Sequence, residues 1–494
     1  MSNAEAQHHA GLKQNAFGVP GILFFVLSAQ APLTSIVGAA ALAVALGDGA
    51  GAPGAYLVVG AVIVLFAVGF TASTRHLDTR GGFFAVIRAG LGFRTGAAGS
   101  ALALLSYNAV QIAMYGLFGS SLSGLLERHT GIAVPWWTCV AAAIGVVWFL
   151  GSRKVELGAR VLAVLVAFEL LLLIAFAIGV IATKGWSALD VPASFGPDAV
   201  LAGAPGVAIM FAIASMFGFE STAIYSAEAK DPRRTVPRAT YIAVVLIAVF
   251  LAFVTWMLIC FYGAAQAQSA AQAALESDPA SFAVTPLNSV LGEWSGTAAD
   301  VLLSTSLFAG ILSFHNMITR YLHTMAGHRL CPPSLERTNR HQAPARASLA
   351  QSSLAAVVVL PFAVAGMDPV NQLFSWFAGL AVVTLVVLYV LTSAAVIGFF
   401  RRTRAERNPW TTLIAPALSA VLMVGILTQV VRNFGVLTGG STVTVWVLLA
   451  VVPVVFIAGL LRSRQVLPVT DLPDLPASDQ GGAHVHNGTS SSSR

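Results

Sequence analysis

The chain predicts an all-α integral membrane protein of twelve transmembrane helices, ten of them arranged as two inverted halves of five. Three observations carry that expectation. Apolar runs of roughly 20 residues, the length that crosses about 30 Å of hydrocarbon, recur along nearly all of the 494 residues. Hydrophobic residues make up 57% of the chain against 10% charged, with a mean hydropathy of +0.80, which excludes a string of soluble domains. The first and sixth runs are interrupted at matching points, Gln30-Ala31-Pro32-Leu33-Thr34-Ser35 and Phe217-Gly218-Phe219-Glu220-Ser221.

In chain order, residues 1–16 form a polar leader, expected to be cytoplasmic. The runs centre near Val37, Val62, Gln111, Ile144, Leu172, Phe211, Phe250, Leu307, Val358, Leu385, Val421 and Val451. The first starts near Phe17 without a basic flank and continues into a full span, so it reads as a retained span rather than a cleaved signal. Residues 17–400 hold the ten spans of the inverted-repeat core, and 401–464 hold two more that pack outside it. Spans one to five overlay on six to ten by their irregularities: each set opens with a broken helix, and each third member is long with a polar stripe. An odd number of spans per repeat inverts one copy relative to the other. The longest outer insertion, Ala264 to Thr297, separates spans seven and eight. Residues 465–494 are rich in Pro, Asp, Gly and Ser and are expected to be a disordered cytoplasmic tail. They carry solvated His484 and His486 and an unmodified sequon, Asn487-Gly488-Thr489.

The formal charge of +6 raises a nucleic-acid reading, which the placement of the basic residues argues against. With the N-terminus inside, inner segments carry Arg75, Arg80, Arg88, Arg94, Arg153, Lys154, Arg160, Lys230, Arg233, Arg234 and Arg238. Further along they carry Arg320, Arg329, Arg337, Arg340, Arg346, Arg401, Arg402, Arg404, Arg407, Arg462 and Arg464. Only Arg128, Lys184 and Arg432 fall in expected outer loops. This is the positive-inside pattern, and it places both termini in the cytoplasm of a multi-pass cell-membrane protein. Cys139, Cys260 and Cys331 are too scattered for a metal site and read as packing thiols. No cofactor or metal is called for.

Irregular backbone at membrane depth persists only where protein or a water-filled cavity satisfies it. Paired breaks in corresponding halves therefore point to a binding site for a small solute. Pro32 cannot donate a backbone hydrogen bond and clashes with the carbonyl of Ser28. Ser28, Ala31, Thr34, Ser35 and Gly38 around it allow close backbone approach. A helix resuming near Thr34 would aim unpaired N–H groups at a carboxylate. A half-helix ending near Phe217 would offer carbonyls to an ammonium. Taken alone, Pro32 reads as an ordinary kink; the second break reverses that and favours the site. Gly218 frees the chain to leave the helix, while Phe217 and Phe219 either close over a ligand or pack.

Charges inside the bilayer are functional candidates. Glu220 lies on the second break. Glu169, in span five, sits roughly 16 Å from a helix start near Gly158, close to mid-membrane. Burial disfavours a charged carboxyl, so both are candidates for proton coupling, against the alternative of a permanently neutral, hydrogen-bonded group. Glu228 and Asp231 stand among Lys230, Arg233 and Arg234 and read as an interfacial ion-pair network. Tyr107, Asn108, Gln111 and Tyr115 fall within an arc of roughly 100° on span three. Such a stripe is either interhelical glue or a cavity wall, and Tyr107 and Gln111 are the site candidates on it. Ser306, Ser313, Asn316 and Arg320 share a face of span eight, whereas His315 and His323 read as structural.

The run Phe217-Gly218-Phe219-Glu220, followed by residues Ala227-Glu228-Ala229-Lys230-Asp231-Pro232-Arg233-Arg234-Thr235-Val236-Pro237-Arg238-Ala239, resembles the sixth-helix signature of the amino acid–polyamine–organocation superfamily. Asn316, Arg320, Ala326 and Leu330-Cys331-Pro332 resemble its eighth-helix motif, and Gly81-Gly82-Phe83-Phe84 its element before the third helix. The resemblance covers about residues 20–400. It implies a LeuT-type core and secondary active uptake of a small-molecule substrate, commonly driven by protons. It further implies that Leu33, Thr34 and Ser35 supply amides, while Ser215, Phe217, Gly218 and Phe219 supply carbonyls and a gate. The first break departs from the Gly-Ser-Gly-Ile-like pattern of many members, and Glu169 stands near where some proton-coupled members carry a lysine.

Amino acid uptake with protons is thus the leading expectation, with an amine or polyamine carrier, or an exchanger, as the rival that Glu169 and Glu220 favour. A major-facilitator fold is faintly suggested by Leu77-Asp78-Thr79-Arg80-Gly81 but predicts no breaks in spans one and six. A ligand-binding sensor lacks an accompanying signalling domain. An enzyme lacks a P-loop, an H-E-x-x-H motif or a nucleophile elbow.

Overall fold

A computed structural model describes residues 18–77, 82–153, 159–220, 222, 229–339 and 343–466. The leader, most of the tail, Arg80, Gly81, Lys154, Ser221, Glu228 and Arg340 lie outside them. Prolines begin many of the helices and glycines end many, as their backbone chemistry dictates. Helix α1 (Val19–Gln30) has Pro20 in its first turn. Helix α2 (32–48) opens on Pro32 and mixes α with π turns over Ser35–Ala40 and Val44–Asp48. A two-residue distortion at Gly47 and Gly49 then leads into α3 (Ala52–Thr74).

Next come α4 (Phe83–Leu91), α5 (Phe93–Thr130), α6 (Trp136–Ser152) and α7 (Ala159–Lys184). Gly92, at φ 91°, makes the corner between α4 and α5, a conformation open to glycine and costly for other residues. Short turns over 186–200 precede α8 (Pro205–Ala214). The second half continues with α9 (Pro232–Tyr262), α10 (Ala267–Ser277), α11 (Ser281–Leu291) and α12 (Trp294–Gly327). Helices α13 (Ala345–Val364), α14 (Pro369–Thr403), α15 (Trp410–Leu437) and α16 (Thr442–Arg464) complete it. The outer insertion expected over Ala264–Thr297 thus contains α10, α11 and the start of α12.

Among the described residues, nine helices are long and apolar enough to cross a membrane, and three shorter apolar helices accompany them. The two runs expected to be long with a polar stripe are the 38-residue α5 and the 34-residue α12. Packing places the interrupted segments at the centre. Helix α1 lies against α7, α9 and α12, the start of α2 against α7 and α12, and α8 against α3, α14 and α15. Helices α15 and α16 carry exposed apolar residues, among them Val421, Val443, Trp446 and Val454. Arg432, expected in a loop, is an exposed residue inside α15.

Two helices meet without any side chain between them. A Cβ on Gly90 of α4 would lie 1.8 Å from the Ala395 carbonyl oxygen of α14, and one on Gly398 would lie 2.7 Å from the Gly90 carbonyl. Only glycine permits backbone contact that close.

Candidate functional site

The backbone leaves α1 at Ala31, which is fully buried with φ 46° and ψ 80°. A left-handed conformation at a residue with a Cβ is disfavoured, so surrounding structure must hold it. The helix resumes at Pro32 rather than Thr34, because proline at the first helical position has no N–H to leave unsatisfied. The next amide, Leu33 N–H, points away from its own helix and donates to Glu169 Oε2 at 3.1 Å. Glu169 of α7 is 0% exposed, and its Oε1 makes no hydrogen bond. Ser306 of α12 faces the same carboxyl. The amide offered by the half-helix is therefore held by the protein's own carboxylate.

Beside it, Ser35 Oγ donates to the Gln30 carbonyl at 3.2 Å. Thr34 Oγ1 and both amide atoms of Gln30 are buried without partners. Gly38 lies a turn further on, where an added Cβ would meet Leu117 at 3.3 Å and Phe374 at 3.6 Å. Buried polar groups are ordinarily paired, so this group of unpaired atoms around the first break is what a small polar solute would satisfy.

The second interruption begins earlier than the sequence suggested, after Ala214 instead of near Phe217. At that end the Phe211 carbonyl accepts both the Ser215 N–H at 3.0 Å and the Ser215 hydroxyl at 2.8 Å, and the backbone leaves the helix from Ser215 onward. Gly218 then adopts φ 104°, and its N–H donates to Glu220 Oε2 at 3.1 Å. Glu220 is 2% exposed with Oε1 unpaired. Each break thus carries one backbone N–H held by one buried carboxylate. Tyr107 of α5 and Tyr389 of α14 flank Glu220.

Phe219 is enclosed by rings, 6.2 Å from Phe66 and 5.8 Å from Tyr389 between centroids. Phe217 is buried as well. Tyr107 packs on Phe314 and Tyr321 of α12. Gln111 is elsewhere: its Nε2 donates to the Ile311 carbonyl at 3.0 Å, and its Oε1 accepts from Gln351 of α13 at 2.6 Å. Gln351 also reaches Asn108 Oδ1 at 2.7 Å, so this end of the stripe ties α5, α12 and α13 together. His315 likewise joins α12 to α13 through Ser348 at 2.8 Å. Of the interfacial charges, Asp231 pairs with Arg234 at 3.7 Å.

Three participants were not found from sequence. Tyr56 of α3 meets Ser215 at 3.3 Å, Tyr389 closes over Glu220, and Asp48 is a buried carboxyl at the end of α2. Asp48 was legible in principle as a charge ending an apolar run.

The sequence matches the amino acid permease family over residues 17–458. No curated protein sequence matches it significantly. Among solved structures, it is similar to the Eremococcus coleocola manganese transporter in complex with an aromatic bis-isothiourea substituted compound. That match has 15% identity, a TM-score of 0.53, and covers 90% of this chain and 96% of that one. A mutant of the same transporter gives 12% identity and 0.51 over 94% and 100%. MhsT in complex with L-phenylalanine gives 18% identity and 0.51 over 85% and 100%. At these identities the likeness establishes a shared fold, that of the LeuT-type transporters. Taken with the match along nearly the whole chain, it makes this protein a multi-pass membrane permease, belonging to the amino acid permease family of the amino acid–polyamine–organocation superfamily.

Proposed function

We propose that this permease imports an amino acid across the cell membrane together with protons, by alternating access around the two interruptions. The observation that supports this best is the Leu33 amide bound to buried Glu169. An ionised Glu169 is a strong acceptor and keeps the amide; a protonated one is a weak acceptor and releases it to a substrate carboxylate. Proton uptake and substrate binding then favour each other at one group. Carbonyls at the end of α8 and the free oxygen of Glu220 suit the substrate ammonium. In this reading α1 and α2 are one discontinuous span, α8 opens another, and α6 also crosses. With Pro32–Thr74 divided at Gly47 and Gly49, there are twelve spans in a five-plus-five inverted core with two peripheral helices. The Arg-rich loops and both termini face the cytoplasm.

A second reading is an amine or polyamine carrier. It is favoured by the two buried carboxyls, each with a free oxygen, because a substrate without a carboxylate would leave the Leu33–Glu169 bond in place. Uptake of radiolabelled solutes into proteoliposomes, with and without an imposed pH gradient, separates the two. Concentrative uptake of leucine or alanine supports the first, and putrescine or ethanolamine the second. Absence of counterflow for every solute would remove both.

A further inference from the structure

We propose that Asp48 is a third proton-binding carboxyl, and that its protonation is what lets the outer face close. Asp48 ends α2 between two distorted glycines, Gly47 at φ −101° and ψ −120°, and Gly49 at φ 59°. It is 5% exposed, and both carboxyl oxygens are buried without a hydrogen-bond partner. A carboxylate held this way has lost its water and gained no compensation, whereas the neutral acid is tolerated.

Among the described residues, the surroundings supply no positive charge. Ala208 of α8 lies 2.9 Å from the position of a Cβ on Gly47, and Gln268 of α10 lies 3.1 Å from one on Gly49. Gln272 Nε2 donates to the Ala45 carbonyl at 3.0 Å, and Ala204 N–H to the Gly47 carbonyl at 3.1 Å. Ala199 closes on Gly51 from the preceding turns. From α3, Tyr56 is the titratable group facing Asp48. Asp190, Asp198 and Glu276 on the enclosing segments are exposed at the surface.

Tyr56 is in turn tied to the second break through Ser215. Ser215 Oγ donates its proton to the Phe211 carbonyl, so in the Tyr56–Ser215 contact the tyrosine is the donor.

This inference rests on the proton-coupled reading and on its orientation, which puts the end of α2 outside. When that end parts from α8 and α10, water reaches Asp48 and the carboxylate forms. Closing again then requires a proton taken from the outer solution. Protonation and closure are two descriptions of one equilibrium.

The test is thiol labelling of Gln268→Cys, with Cys139, Cys260 and Cys331 replaced by serine, in right-side-out vesicles with a membrane-impermeant maleimide. The expected result is labelling that, divided by the rate of a fully exposed cysteine at each pH to remove the thiolate fraction, accelerates at least about tenfold from mildly acidic to mildly alkaline outer pH. Asp48→Asn, which copies the neutral acid, should stay protected at both. A flat profile without the Asp48 change overturns the proposal, and so does a profile that Asp48→Asn leaves unchanged. Counterflow at equal pH reports that the variants are folded. If labelling follows pH through Asp48 while solute uptake ignores the pH gradient, the coupled-import reading fails and the Asp48 latch stands. If uptake follows the gradient and labelling does not, the latch alone fails.

Discussion

The Leu33 amide and the Glu169 carboxylate, 136 positions apart in the chain, meet at 3.1 Å across the first helix interruption. Glu169→Gln preserves an oxygen acceptor for that amide but removes the titrating group. Its expected phenotype is loss of pH-driven accumulation, by about tenfold or more, with exchange at equal pH retained. Glu169→Leu also orphans the amide and should lower stability by about 1–3 kcal/mol. Denaturation in detergent alongside uptake checks both.

Glu220→Gln is expected to abolish pH-driven accumulation while partly sparing exchange. Unchanged concentrative uptake would rule out Glu220 as an essential proton carrier. Because Glu220 also holds Gly218 N–H, the glutamine must be compared with Glu220→Ala. A purely structural role predicts that glutamine behaves like the native residue.

Gly218→Ala tests the second interruption. At φ 104° an added Cβ costs roughly 1–2 kcal/mol. The chain can relieve that strain by winding back into helix. The expected outcome is a folded protein with strongly reduced counterflow, read by uptake assay and thermal unfolding together.

Gln351→Leu separates the two meanings of the polar stripe on α5. It removes the donor to Gln111 Oε1 and Asn108 Oδ1, and should cost about 1–3 kcal/mol of stability. Apparent substrate affinity should stay within about threefold, since the hydrogen bonds of this network run to α12 and α13 and not to the residues of either break. A large rise in KM would instead return Gln111 to the solute site.

The outline was readable because lipid enforces simple rules on sequence. Apolar length marks spans, and Pro32 marks where one helix ends and the next begins. The pairing of Glu169 with Leu33 was not readable, because 136 intervening residues carry no local signal of which amide a buried acid will meet. Gln111 shows the same limit: its periodicity gave the correct face, while its partners Ile311 and Gln351 lie on other helices. The end of α8 was misplaced by three residues because the apolar run continues through Met216 and Phe217 after the helix has already ended at Ala214. Asp48 was passed over because glycine-rich sequence resembles a solvated turn whether or not other segments fold over it.

The crossing of Gly90 with Ala395 and Gly398 has a mechanical consequence. A joint of main chain against main chain has no rotamers to absorb displacement, so it behaves as a stiff hinge pin rather than a cushion. Whatever tilts at one end of α14 is delivered undiminished to α4 and the corner at Gly92.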